Sequence, residues 1–182
     1  DMHWKPKISG YTTTYNCVSQ GYPFVATIQS MLNFCSEVVV LDGGSDDGTW
    51  EEIQKLVSIQ GDGRIKAEQN IVDWKAKRHA VEDGLQKARA RELCTGDYCW
   101  QMDCDEVVHE RDAEKIIKLC RQFPKFVDIV SLPVIEFWGG TKKVRMDINP
   151  WKWRLSRNLP NITHGIPLQL RKEDEDGNLY AS

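Results

Sequence analysis

The chain has 182 residues, of which 41% are hydrophobic and 28% are charged, and its formal net charge is −3. This balance excludes global disorder, because so apolar a chain with so little net charge can form a core. It also argues against a nucleic-acid partner held by bulk positive charge. No apolar run approaches the roughly 18 residues of a membrane span. Because the N-terminal residues lack a signal-peptide core, we expect one cytoplasmic globular domain over residues 1–182.

Strand and helix patterns alternate along the first half of the chain. β-Branched and aromatic residues predict a strand over 7–14, and the run Val38-Val39-Val40-Leu41 predicts a strand buried on both faces. Thr49 and Glu52 have the spacing of a helix-starting capping box. The remaining predicted helices cover 23–35, 74–91 and 112–121, and the remaining strands cover 64–67, 98–102, 126–135 and 168–171.

This order of elements predicts an α/β fold with a mostly parallel sheet flanked by helices up to about residue 105. Beyond residue 137 the pattern becomes irregular, with Trp, Gly, Pro and basic residues. We expect that part to form loops or an antiparallel edge of the same sheet.

The six cysteines are predicted to be free thiols. No CxxC pair occurs. A chain of 182 residues does not need disulfides to fold, and we see no secretory signal that would place it in an oxidising compartment. Cys94, Cys99, Cys104 and His109 are evenly spaced, which leaves a zinc site as an alternative. Their spacing matches neither a zinc knuckle nor a helix or strand period, so buried thiols are favoured.

Two acidic motifs follow predicted strands. Asp42 ends the second strand, and Asp103 and Asp105 come directly after the strand at 98–102. Ligands of open α/β sheets bind at such carboxyl ends, although Asp and Gly also form ordinary turns there. Two carboxylates two residues apart repel each other unless a cation lies beside them, and Mg²⁺ or Mn²⁺ suits oxygen ligands. A solvated acidic turn is the alternative for each motif alone.

Three motifs in order carry a family resemblance. They are Thr14-Tyr15-Asn16, Leu41-Asp42-Gly43-Gly44-Ser45 and Asp103-Cys104-Asp105-Glu106, each after a predicted strand. Together they resemble family 2 glycosyltransferases of the GT-A (Rossmann-like) fold over about residues 7–121. The nearest branch has an LDADE-like metal motif and includes lipopolysaccharide-core sugar transferases.

The resemblance implies metal-dependent transfer of a sugar from a nucleoside-diphosphate sugar to an acceptor hydroxyl, with inversion. The acceptor would be a saccharide or a lipid-linked molecule, in cell-surface polysaccharide or lipopolysaccharide synthesis. Asp103 and Asp105 would hold Mn²⁺ or Mg²⁺. Arg78 would contact the diphosphate, unless it is a solvated charge on a basic helix. The implied nucleotide-sugar-binding residues are Thr14, Tyr15, Asp42, Arg78 and Asp103.

Four positions depart from the family pattern. Gly43 stands where an acidic residue is usual, His79 where Asn is frequent and Cys17 where an acidic residue is frequent. His164 is followed by Gly165, where the branch often has a His-Glu pair. Inversion requires a base near the acceptor hydroxyl.

The candidate bases are Glu136, Asp147 and His164. We favour His164, with a loop histidine that has only a structural role as the alternative.

The region 138–157 is predicted to lie on the acceptor side. Its aromatic and basic side chains could hold a phosphorylated sugar, form a peripheral membrane contact with anionic lipid, or simply pack. We therefore expect a nucleotide-sugar-binding half at about 7–121 and an acceptor-side half at about 122–182. Family members commonly run longer at that end, which leaves a truncated acceptor side open. The residues concerned are Trp138, Trp151, Trp153, Lys142, Lys143, Arg145, Lys152, Arg154 and Arg157.

Three other readings compete with a sugar transferase. A haloacid-dehalogenase-type phosphatase also places a DxD after a buried strand, but usually after the first one. A nucleotidyltransferase would need a Gly-rich basic loop after the first strand, which Thr14-Tyr15-Asn16-Cys17 does not provide. A non-catalytic domain that only binds nucleotide or glycan fits the replaced acidic residues, but Asp103 and Asp105 are present.

Overall fold

The computed structural model describes residues 4–137, 139–146, 149–164, 170–173, 175–176 and 179–180. Six strands form one mixed sheet, and three short strands form a second, antiparallel sheet. The strands of the main sheet are β1 (Ile8–Thr14), β2 (Glu37–Asp42), β3 (Ile65–Gln69), β4 (Tyr98–Gln101), β5 (Ile129–Pro133) and β6 (Trp151–Arg157). The small sheet contains β7 (Ile162–His164), β8 (Leu170–Glu173) and β9 (Leu179–Tyr180).

In the described part of the chain, five helices connect these strands: α1 (Cys17–Gln20), α2 (Phe24–Met31), α3 (Thr49–Gln60), α4 (His79–Glu92) and α5 (Ala113–Arg121). A 3₁₀ turn over Glu110–Asp112 precedes α5. None of the helices in the described ranges is both long enough and apolar enough to cross a membrane.

The main sheet has the order β3-β2-β1-β4-β6-β5. Strands β1 to β4 are parallel, and β6 and β5 add an antiparallel edge beside β4. The predicted α/β class is therefore confirmed, with the C-terminal part of the chain forming the expected antiparallel edge. The sequence does not predict strand β6, because its mixture of Trp, Lys and Arg hides the alternation of apolar and polar residues that marks a strand.

Apolar side chains cover both faces of the sheet. The larger cluster includes residues of α2, α3 and α5, whereas Ala90 of α4 packs on the other face with Tyr11 and Val39. All six residues of β2 are buried, as predicted for a parallel strand. Helix α4 is tied to the far edge by Arg91, which donates to Ser156 Oγ at 2.8 Å and to the carbonyls of Ile162 and Arg157.

Two predicted helix starts are wrong. Thr49 is the first residue of α3 after Gly48, and its Oγ1 donates to Asp47 Oδ1 at 2.6 Å, so Thr49 does not cap the helix in a box with Glu52. Helix α4 begins at His79 rather than at residue 74, because residues 70–78 form a loop over the carboxyl ends of β2 and β3.

The six cysteines are free thiols, as predicted. Cys17 and Cys104 lie with their sulfur atoms 3.5 Å apart. Among the described residues, the group able to hold a metal consists of carboxylates and contains no cysteine, so the zinc alternative is not supported.

A buried carboxylate joins three parts of the parallel sheet. Glu37, at the start of β2, accepts hydrogen bonds from Ser9 Oγ at 2.6 Å and from Thr95 N and Oγ1 at 2.7 and 2.8 Å, and it pairs with Lys66. Burial acts to raise the pKa of Glu37, but Lys66 and these donors outweigh it and lower the pKa from 4.5 to about 2.

We predict that Glu37→Gln lowers the free energy of unfolding at pH 7 by about 1–3 kcal/mol, because it removes a charged acceptor of several hydrogen bonds. The folded-state pKa is depressed, so this stabilisation is present above pH 4.5 and is lost as the pH falls toward 2. Urea unfolding at several pH values measures the difference. The difference in free energy of unfolding between the wild type and Glu37→Gln should become smaller as the pH falls. Glu51→Gln, on the surface of α3, serves as the control. A difference that is constant with pH would contradict the role of the charge.

Candidate functional site

The carboxyl ends of three neighbouring parallel strands form the candidate site. Thr14 of β1 lies beside Asp42 of β2 in register, and β4 ends on the other side of β1, two residues before Asp103. The topology therefore brings the three sequence motifs to one edge of the sheet, where ligands of α/β proteins bind.

Asp42 organises the loop after β2. Its carboxylate is fully buried and accepts from Thr14 Oγ1 at 2.8 Å, Ser45 Oγ at 2.6 Å and Gln69 Nε2 at 3.1 Å. It also accepts from the backbone N–H groups of Gly44 and Ser45 at 3.1 and 2.9 Å. Both oxygens are thus engaged by the protein, so a ribose or base could contact Asp42 only by replacing one of these donors.

Asn16 links this loop to the end of β1. It has a left-handed backbone with φ of 48°, which Asn tolerates better than most residues. Its N–H donates to Ser45 Oγ and its Oδ1 accepts from the N–H of Asp46, both at 2.9 Å. The first two sequence motifs are therefore fixed against each other.

An aromatic stack covers the loop after β2. The rings of Tyr15 and Trp74 are stacked with centroids 4.6 Å apart, and His79 lies 5.1 Å from Trp74 on a tilted plane. Trp74 Nε1 donates to the carbonyl of Gly43 at 3.0 Å. A Cβ on residue 43 would lie only 2.5 Å from Trp74 Cζ2. The glycine that departs from the family pattern is therefore required by the position of Trp74.

The third motif forms a cluster of carboxylates. One oxygen from each of Asp103, Asp105 and Glu106 lies within 4.8 Å of the others. Three hard oxygen donors at this spacing fit Mg²⁺ or Mn²⁺, which also keep coordination positions for phosphate oxygens. The predicted metal ligands are thus brought together, and Glu106 joins them.

Two cations balance this cluster unequally. Lys87 Nζ lies 3.0 Å from Asp103 and 3.1 Å from Asp83. Arg154 lies 3.5 Å from Asp103, and its Nε donates to Glu106 at 3.0 Å. Gln101 bridges the two sides, since it accepts from Arg154 Nη1 at 2.8 Å and donates to Asp103 at 2.9 Å. Lys87 and Arg154 are themselves buried.

This balance sets the pKa values of the carboxylates. Burial acts to raise the pKa of Asp103, but Lys87 and Arg154 outweigh it and hold that pKa well below its usual range. Burial and the charges of Asp103 and Glu136 raise the pKa of Asp105. Asp105 is exposed, and among the described residues the ion pairs of the cluster involve Asp103 and Glu106 instead, so Asp105 is the carboxylate best placed to bind a cation from solution.

The candidate bases lie in different surroundings. His164 is 8% exposed, and its Nε2 lies 2.6 Å from the hydroxyl of Tyr11, which is itself fully buried. Glu136 is partly exposed and near enough to Asp105 to affect its pKa. Asp147 lies outside the described residues. His164 is thus a buried residue of β7 that contacts Tyr11, and does not lie in a loop.

The remaining predicted residues separate into two groups. Arg78 is exposed immediately before α4, where a helix N-terminus favours anions. Arg154 is buried and Arg157 is half-buried, and both bind other parts of the fold. Arg157 lies 4.9 Å above the Phe123 ring and donates to the carbonyl of Val127. Trp138 lies outside the described residues.

Sequence reasoning missed Lys87 as a site residue. A signal was present, because Asp83 and Lys87 have the i, i+4 spacing of a helical ion pair. That spacing is common on exposed helix faces, and only the tertiary structure shows that this pair is buried beside Asp103.

Comparison with known proteins gives the class of this site. Residues 11–169 match the family model described as glycosyl transferase family 2. No curated protein sequence matches the chain. The chain belongs to glycosyl transferase family 2, which confirms the family predicted from the motifs and does not support the phosphatase reading. The comparisons do not distinguish the LDADE-like branch.

Solved structures with the same fold include two forms of TarS from S. aureus. Residues 1–349 of TarS superpose with a TM-score of 0.54 at 15% identity, covering 84% of this chain and 47% of that one. The same fragment in complex with UDP-GlcNAc gives a TM-score of 0.55 at 19% identity, covering 74% and 36%.

A mannosyltransferase from Pyrobaculum calidifontis, in complex with GDP-Man and Mn²⁺, is also similar. Its TM-score is 0.53 at 21% identity, with 74% of this chain and 37% of that chain covered. This chain therefore spans less than half the length of each of these structures. At such identities the likeness establishes the GT-A fold.

We predict that Gly43→Ala destabilises the protein by about 1–3 kcal/mol, because the added methyl group forces the Trp74 ring out of its stack. Thermal and urea unfolding measure the effect. The same substitution in a Trp74→Ala background should cost much less, and this double-mutant cycle isolates the contact. An equal cost in both backgrounds would show that another neighbour of Gly43 is responsible.

Proposed function

We propose that this domain transfers a sugar from a nucleoside-diphosphate sugar to an acceptor hydroxyl in a metal-dependent, inverting reaction. The observation that carries the proposal is the cluster of Asp103, Asp105 and Glu106 at the carboxyl end of β4, in a chain of family 2. Structural neighbours of the same fold have been solved with UDP-GlcNAc and with GDP-Man and Mn²⁺.

The acidic cluster would hold Mn²⁺ or Mg²⁺, which neutralises the charge that develops on the departing nucleoside diphosphate. Asp105 would be its principal ligand, because Asp103 and Glu106 already face Lys87 and Arg154. Arg78 and the N-terminus of α4 would contribute further positive potential toward the diphosphate.

The nucleoside would lie beside Thr14 and Tyr15. The Tyr15 ring supplies an aromatic face, and aromatic faces stack on bases of any identity. Asp42 would act through the loop that it orders, because its oxygens are already occupied by five donors. Trp74 covers one face of the Tyr15 ring, so a base would stack on the other face or would take the place of Trp74.

For the base that deprotonates the acceptor, the geometry supports Glu136 better than His164. Glu136 is partly exposed and its charge helps to raise the pKa of Asp105, whereas His164 is buried against Tyr11. The acceptor would be a saccharide or lipid-linked hydroxyl in cell-surface polysaccharide or lipopolysaccharide synthesis, and the reaction would take place in the cytoplasm.

We predict that uridine or guanosine diphosphate binds the wild-type chain more tightly with Mn²⁺ than without it. Asp105→Asn should reduce the Mn²⁺-dependent affinity by at least about tenfold, because it removes the exposed carboxylate of the cluster. Isothermal titration with each nucleotide measures both effects, with Asp62→Asn, on the turn after α3, as the control. Metal-independent binding, or binding that Asp105→Asn leaves unchanged, would refute the metal site.

We predict that Glu136→Gln lowers the rate of sugar transfer or donor hydrolysis by about 10²–10⁴-fold, because the amide cannot accept the acceptor proton. Its affinity for nucleotide with Mn²⁺ should stay close to that of the wild type. A screen of nucleotide sugars for hydrolysis supplies the donor for this assay. If His164→Gln abolishes turnover while Glu136→Gln does not, the assignment of the base is reversed.

A further inference from the structure

An extended segment projects from the antiparallel edge of the sheet between β5 and β6. We call it the edge hairpin; its described residues are 134–137, 139–146 and 149–150. Phe137 and Val144 form a bridge, Arg145 N donates to the carbonyl of Glu136 at 2.9 Å, and Val134 N donates to that of Pro150 at 2.7 Å. These contacts fix which residues of the two arms lie opposite each other.

The two faces of the edge hairpin differ in chemistry. Glu136 and Arg145 lie opposite each other, with 3.8 Å between carboxylate and guanidinium atoms. The residues that alternate with them are apolar and exposed: Ile135 is 64%, Phe137 55%, Val144 48% and Met146 88% accessible. A cavity of about 220 Å³ lies along the hairpin and is lined mainly by apolar side chains. Contiguous exposed apolar residues of this kind mark an interaction surface.

The tip of the edge hairpin is basic. Lys142 and Lys143 are exposed there, next to Gly139 and Gly140, which turn the chain with positive φ angles. The acidic cluster lies on the side of Glu136, whose charge reaches Asp105. The edge hairpin thus carries an apolar face with lysines at its end.

We propose that the apolar face of the edge hairpin inserts into the surface of an anionic lipid membrane, with Lys142 and Lys143 contacting headgroup phosphates. Exposed apolar side chains together with lysines suit such an interface. The lysines at the tip favour a membrane over a second copy of the chain, because anionic headgroups complement their charge. This membrane contact rests on the proposed function, because it would hold the acidic site beside a lipid-linked acceptor.

Sedimentation with lipid vesicles tests this contact directly. The chain should bind vesicles containing roughly one-third phosphatidylglycerol at low ionic strength and should bind phosphatidylcholine vesicles much less. Each lysine near an anionic surface strengthens binding about fivefold, so Lys142→Glu with Lys143→Glu should weaken it by at least about 25-fold. Phe137→Ser with Met146→Ser should weaken it by at least about tenfold.

The matched control is Phe126→Ser, because Phe126 is 89% exposed on the turn before β5, outside the edge hairpin. It should leave vesicle binding unchanged, and circular dichroism checks that each variant is folded. Absence of binding to anionic vesicles, or equal losses in control and hairpin variants, would overturn the proposal. A dimer in lipid-free solution that the hairpin variants dissociate would assign the face to a second copy.

Nucleotide titration with Mn²⁺ on the same variants separates this inference from the proposed function. Vesicle binding that is lost while nucleotide affinity is kept supports the membrane contact. If wild-type chain binds vesicles through the hairpin but binds no nucleotide, the transferase proposal fails and the membrane contact stands. If it binds nucleotide but no vesicles, only the membrane contact fails.

Discussion

The arrangement of this molecule depends on placing several carboxylates close together at the end of a strand. Like charges at such distances repel, and partial burial raises the cost of ionising each group. Lys87 from α4 and Arg154 from β6 offset part of this charge, and both are buried while doing so. The neutralisation is incomplete on the side of Asp105, and that remaining negative charge is the feature that a divalent cation can use.

The two cations also explain why the antiparallel edge belongs to the site. Arg154 reaches Glu106 and Gln101 only because β6 pairs with β4 in the register that sets Leu155 beside Trp100. A basic strand at the edge of a sheet looks like a solvated surface when it is considered alone. Here it supplies a buried counter-ion, so the parallel and antiparallel parts both contribute side chains to the candidate site.

The sequence predicts the parallel half well and the antiparallel half poorly, for physical reasons. The run Val38 to Leu41 is typical of a strand buried on both faces, and the motifs at Asp42 and Asp103 each follow such an apolar run. Strand β6 carries charged side chains whose partners are distant in sequence, so no local period reveals it. The position of Trp74 over Gly43 is likewise a long-range contact, and a glycine in a motif does not indicate which ring lies against it. The contact between His164 in β7 and the hydroxyl of Tyr11 joins residues far apart in the chain, so the sequence does not reveal that His164 is buried.

Helix α4 connects the acidic cluster to the antiparallel part of the fold. Lys87 and Arg91 lie one turn apart on it, and the first contacts Asp103 while the second binds β6 and the start of β7. A helix is stiff along its axis over so short a distance. One turn of α4 therefore fixes the position of the acidic cluster relative to β6 and the first strand of the small antiparallel sheet.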